Sequence, residues 1–285
     1  MDKEICIAGR DGGACIIPMK GMRSEVAVKV AVRNGISYLA SSYFTPPFKV
    51  ANITENKSEC ALHLMLMCAS PGVLDGDDLT VRVEVEAFGR LQLHTQSYQR
   101  LFQMEEGAVQ TMEVLLGKGA CFCWLPHPCV PHERAIFTGR NKVYLSEGSQ
   151  LIWGEVITCG RKLSGEVFRY SRYQVRTEVF IQGQLALLEN VCLRPSMFPV
   201  EGVGQMEGFT HQASLLYVGG TQALVKRGEV ETYLQGMTGV IYGVSEGPAG
   251  SLVVRILGNH AEPLYEGLKV IGALLTGTKS IDYAS

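Results

Sequence analysis

The sequence carries none of the short motifs that announce an enzyme. There is no Gly-x-Ser-x-Gly elbow, no phosphate-binding glycine loop and no His-Glu-x-x-His pair. Gly202-Val203-Gly204 lacks a third glycine at the right spacing and precedes no clear helix, which removes a dinucleotide site. No apolar run reaches the roughly 18 residues that a membrane span needs; Ala61–Ala69 and Val270–Thr276 are the longest candidates. No basic stripe exists, with 26 Lys and Arg against 28 Asp and Glu and a formal net charge of −2, so nucleic acid is not expected as a partner. The opening residues, MDKEICIAGRDGG, have acid near the start and no apolar segment of the signal-peptide kind. The expectation is a cytoplasmic protein without membrane contact. The nine cysteines are odd in number and irregularly spaced, which excludes a disulfide framework and suits reduced, partly buried thiols.

What the chain does have is apolar content and turns. Of 285 residues 46% are hydrophobic, and 32 glycines separate short runs of Val, Ile, Leu, Phe and Tyr. That pattern predicts an all-β fold of many short strands. Leu79–Ala87 alternates, with Leu79, Val81, Val83, Val85 and Ala87 on one face. Asn34-Gly35 predicts a hairpin between Val26–Val32 and Ile36–Ser41. Ala61–Cys68 reads as a strand buried on both faces, and Ser70 to Asp78 as a loop. Pro126, Pro128 and Pro131 predict an extended, unpaired entry into a sheet, because proline removes a backbone donor. Two stretches have helical spacing: Ala223–Gln235, through Leu224, Val225, Val230 and Leu234, and Pro263–Leu275, through Leu264, Leu268, Ile271 and Leu275. No repeat of fixed period and no linker is evident, so residues 1–285 read as one β-rich domain with two short helices.

Three constellations could carry chemistry. Cys121, Cys123, Cys129 and His132, with His127 nearby, supply soft ligands for zinc or nickel, although Cys-x-Cys matches no standard zinc module. Asp75, Asp77 and Asp78 resemble a calcium loop but fit better as a turn whose carboxylates cap backbone amides. Glu155 and Glu166 could act as the carboxylate pair of a glycan hydrolase, or could form ion pairs with Arg161, Lys162 or Arg169. On a strand, Trp153 and Glu155 share one face.

An ordered set of segments resembles the urease accessory protein UreD (UreH) family. It comprises Pro47-Phe48-Lys49-Val50, Ser70-Pro71-Gly72-Val73-Leu74 with Asp77, Thr95-Gln96, Leu125-Pro126 with Pro128 and Pro131, Trp153-Gly154-Glu155, Gly160-Arg161 and Gly165-Glu166. The likeness covers about residues 25 to 275. It implies a non-enzymatic protein that binds urease apoprotein and the accessory protein UreF, and through UreF the GTPase UreG. It also implies that nickel passes to the urease active site with no permanently bound cofactor. The polar residues at matching positions are Asp77, Glu155, Arg161 and Glu166. Asp77, Glu155 and Glu166 are therefore the expected transient nickel contacts, since carboxylates release nickel more readily than thiolates. Val73 departs from the family loop, which usually has glycine there, and His127 and His132 match no family position.

Overall fold

The computed structural model describes residues 4–8, 14–18, 21–56, 58–220 and 222–277. Among the described strands, β1 (Glu4–Ala8) and β2 (Ala14–Pro18) pair with each other alone. β3 (Arg23–Arg33) and β4 (Ile36–Phe44) form a hairpin whose turn residues, Asn34 and Gly35, take φ of 53° and 77°. These left-handed values are what an Asn-Gly hairpin turn requires. β5 (Phe48–Asn52) and β6 (Leu62–Cys68) form a second hairpin.

The chain then winds between two sheets through β7 (Asp78–Val85), β8 (Arg90–Thr95), β9 (Gln99–Leu101), β10 (Ala108–Leu116), β11 (Cys121–Trp124), β12 (Cys129–Pro131), β13 (Ile136–Leu145), β14 (Gln150–Thr158) and β15 (Arg172–Ile181). β16 (Gln184–Leu193) folds back on β15, and β17 (His211–Val218) on β14. Helix α1 (Gln222–Gln235), the hairpin β18 (Ile241–Gly247) and β19 (Ser251–Gly258), and helix α2 (Ala261–Thr276) complete the described chain.

The described strands give a first sheet ordered β16-β15-β13-β10-β7-β3-β4 and a second ordered β18-β19-β17-β14-β11-β8-β6-β5, with β9 and β12 beside the second. From β3 to β15 the first sheet is parallel, as is the second from β6 to β14. Parallel neighbours need a crossover, and here each crossover is largely a strand of the other sheet. The result is a two-sheet coil.

Leu62, Leu91, Phe122 and Leu151 lie side by side, 29, 31 and 29 residues apart. The same turn recurs before β8, β11 and β14, where the amides of Gly89, Ala120 and Ser149 donate to the carbonyls of Glu86, Gly117 and Ser146. Its left-handed position is held by Phe88, Gly119 and Gly148, at φ of 61°, 63° and 68°. A structural repeat is thus present where the sequence shows no fixed period. The turn chemistry and the coil lengths both vary.

One core fills the space between the sheets, with Val28, Val83, Val114, Val143 and Val179 facing Leu64, Leu93, Phe122, Trp124 and Leu151. The alternation expected from Leu79 holds through Val85, but Ala87 is exposed in the turn. A second core lies between the second sheet and the helices, where Leu264, Leu268, Ile271 and Leu275 of α2 meet Ile152, Val156, Leu215, Val254 and Ile256. The expected stripe on α2 is therefore its buried face. On α1, Val230 and Leu234 are buried but Val225 is 76% exposed, and Ala223 packs inward instead; the Leu224 side chain lies outside the described residues. The proline-rich segment also differs from expectation. Cys129–Pro131 is a short strand paired with both β9 and β14, inside the sheet.

Candidate functional site

β14 begins its inward face with Leu151 and Trp153, and the same alternation carries Glu155 into the space between the sheets. A cavity of about 160 Å³ lies there. Trp124, Trp153, Cys129 and Glu155 of the second sheet line it opposite Met112, Phe137, Asn141, Tyr173 and Val175 of the first. It reaches the loop residues Ser70–Val73 and the stretch Thr95–Arg100, which runs from the end of β8 into β9. The Trp153 indole Nε1 donates to Glu155 Oε1 at 2.9 Å, so these two residues do share a face. Asn141 Nδ2 donates to the same oxygen at 3.3 Å and to Thr177 Oγ1 at 2.9 Å. Burial raises the Glu155 carboxyl to about 7; the Trp153 hydrogen bond opposes the shift and the nearby Glu189 carboxylate adds to it.

The other expected contacts lie elsewhere. Asp77 Oδ1 accepts from the Met22 amide at 3.0 Å and Oδ2 from the Leu74 amide at 2.8 Å. It closes the loop before β7 as a backbone cap and does not line the cavity. Asp75 Oδ1 likewise accepts the amides of Glu105, Glu106 and Gly107. Glu166 is gripped at both oxygens by Arg161, with Nε to Oε2 at 2.8 Å, and also accepts the Glu133 amide. The ion pair suggested for Glu155 with Arg161 thus forms with Glu166 instead. A carboxylate pair of Glu155 and Glu166 is not assembled, since Glu166 does not line the cavity that holds Glu155.

The cysteines and histidines are also dispersed. Cys129 faces the cavity, whereas Cys123 faces the helices. Cys121 lies two residues before Cys123 on β11, and His132 packs edge-on against Phe102 with ring centroids 4.8 Å apart. Among the described residues, no group of three or more His, Cys, Asp or Glu side chains is arranged to hold a metal ion. His127 and a further histidine, His94, reach a second cavity, between the second sheet and α2. His94 is held near 4, chiefly by burial and then by its neighbour His63, and His127 is lowered by burial. The two cavities share the wall made by Thr95, Gln96 and His127.

Asn141 and Thr177 are site residues that reading by sequence missed. No local motif marks them: Asn141 meets Glu155 across the gap between the sheets, and Thr177 reaches Asn141 through the parallel pairing of β13 and β15.

No described helix is long and apolar enough to cross a membrane. Residues 22–280 match the family model of the UreD urease accessory protein. A "Urease accessory protein UreD" of Flavobacterium johnsoniae is 43% identical over 254 residues, covering 88% of this chain and 91% of that protein. One from Acetivibrio thermocellus is 35% identical, covering 90% and 98%. One from Haemophilus influenzae is 32% identical, covering 89% and 99%.

Proposed function

The chain belongs to the UreD urease accessory protein family, and from that premise we propose that it is a non-enzymatic scaffold of urease maturation which conducts nickel through its interior. It acts in the cytoplasm, bound to urease apoprotein and to UreF, and through UreF to the GTPase UreG. Nickel is its cargo, and no cofactor is retained.

The observation that carries this reading is Glu155. A carboxyl in the cavity between two apolar sheets is costly to ionise unless a cation or water meets it. Its hydrogen bonds from Trp153 and Asn141 fix its position without supplying a counter-charge. Oxygen ligands exchange nickel faster than a closed thiolate site would, which suits a conduit. Of the three expected contacts, we assign only Glu155 to the passage. Asp77 and Glu166 have their oxygens engaged by backbone amides and by Arg161, and their roles are to hold the loops on either side.

The test is co-purification with UreF and with urease apoprotein, followed by activation of apo-urease with and without this chain. A complex that forms and speeds activation supports the reading. Failure to bind either partner overturns it.

A further inference from the structure

On the outer face of the first sheet, Lys29 of β3 pairs with Glu84 at 2.9 Å and Arg82 of β7 with Glu25 at 3.4 Å. These cations have carboxylates beside them. The far edge of the same face differs. Tyr173 of β15 stands opposite Leu193 at the end of β16, and both side chains enter the core. Side chains alternate along a strand, so the adjoining residues, Arg172 and Arg194, fall opposite each other on the outer face. Two residues along the strands lies the row Thr138, Gln174 and Cys192, and beyond it the row Arg140, Arg176 and Asn190. Four arginines therefore bracket a polar row, with roughly 7 Å between successive rows. The face is open, with Arg140 and Cys192 exposed and Thr138, Arg172, Gln174 and Arg194 half-buried.

Among the described residues only one of these four arginines has a carboxylate, Arg176, which pairs with Glu178 at 2.7 Å. Arg172 Nη2 donates to the Thr138 hydroxyl at 3.2 Å, and Arg194 Nη1 to Met197 Sδ at 3.7 Å. The Nε of Arg172 and that of Arg194 are sealed from solvent and have no hydrogen-bond partner among the described residues. Like charges side by side repel, and a sealed donor without an acceptor costs stability. An oxyanion between the two guanidinium groups removes both costs. We propose that this face binds a phosphoryl group, seated over Thr138 and Gln174, with Arg172 and Arg194 on one side and Arg140 on the other. A phosphoryl group carries about −1.5 to −2 charges at pH 7 and three acceptor oxygens. A carboxylate brings one charge and two oxygens, which a single guanidinium fork fills. Two neighbouring unpaired forks therefore match the phosphoryl group better. Both side chains end on the open face, where a turn of the guanidinium brings Nε to the anion. The site lies on the opposite face of the sheet from the Glu155 cavity and is independent of the role given to that residue.

Free phosphate and phosphate esters share this chemistry. Inorganic phosphate, ADP and acetate are titrated into the full chain at constant ionic strength, read by calorimetry and by the melting temperature. Inorganic phosphate should bind saturably and raise the melting temperature. Arg172→Gln and Arg194→Gln should each weaken that binding about tenfold or more, while Arg82→Gln leaves it unchanged. Tighter binding of ADP than of phosphate assigns the site to an ester, and otherwise to the free ion; either supports the proposal. Without phosphate, Arg194→Gln should melt no lower than the parent, since a repelling charge and a partnerless donor are gone. A lower melting temperature would show that the protein's own groups already hold Arg194, and overturns the site. Equal weakening by Arg82→Gln and Arg194→Gln marks general attraction of anions and also overturns it. Acetate binding as tightly as phosphate makes the face a carboxylate site, suited to an acidic protein segment, and overturns the phosphoryl assignment. Absence of saturable binding overturns the proposal outright.

Discussion

Glu155→Gln should make the protein more stable above neutral pH. Burial raises the folded-state carboxyl to about 7 from an ordinary value near 4.5. The folded protein therefore binds a proton that the unfolded chain has lost between those two values. Stability then falls as pH rises through that window, and the loss is complete above the folded value. A displacement of that size is worth roughly 3 kcal/mol as a ceiling, and water in the cavity lowers it. Glutamine keeps the shape and an acceptor for the Trp153 indole while removing the ionisation. The assay is urea denaturation of parent and variant at pH 4, 6 and 8, read as the difference in midpoint. The variant should match the parent or fall slightly below it at pH 4 and exceed it by up to about 2–3 kcal/mol at pH 8. The comparison must be differential, because buried His94 and His211, both held near 4, contribute the opposite slope from about pH 6.5 downward. A gap that does not widen with pH would refute the assignment of an ionisable, desolvated carboxyl at this position.

Other outcomes follow from packing. Leu268→Ala, 1% exposed between α2 and β14, should cost about 2–5 kcal/mol and lower the melting temperature; a change near zero would remove α2 from the core. Gly154→Ala would set a Cβ 2.5 Å from Leu125 Cδ2 and 3.1 Å from Leu268 Cδ1. It should cost about 1–3 kcal/mol in a thermal melt, part of which Leu125→Ala should restore. Phe88→Gly, at the left-handed turn position held elsewhere by Gly119 and Gly148, should relieve backbone strain. It also removes the ring that sits over Gly119, so the unfolding free energy from urea denaturation should rise by less than about 1 kcal/mol. A large loss would show that the ring contact outweighs the strain.

Local signals in the sequence were sufficient for much of the fold. The Asn34-Gly35 hairpin, the alternation from Leu79 to Val85 and the stripe on α2 each depend on neighbours a few residues away, and each stands as read. The coil did not show, because its turns use Phe88, Gly119 and Gly148 in one role at spacings of 31 and 29 residues. α1 shows only half of the expected stripe, since Val225 points to solvent on a helix whose inward contact begins at Ala223. At the site, Glu155 was legible because alternation ties it to Trp153 on one strand. Asn141 was not, since it meets Glu155 only across the gap between the two sheets. Asp77 and Glu166 showed their residue types but not their partners, and the partners decide their roles.

The most direct test of the account is activation of apo-urease at limiting nickel by the Glu155→Gln chain, with binding to UreF and to urease apoprotein measured in the same preparation. The account predicts that both complexes form normally, that activation slows markedly, and that excess nickel restores most of it. Parental activation at every nickel level would contradict the interior route. Loss of complex formation would instead make Glu155 a structural residue.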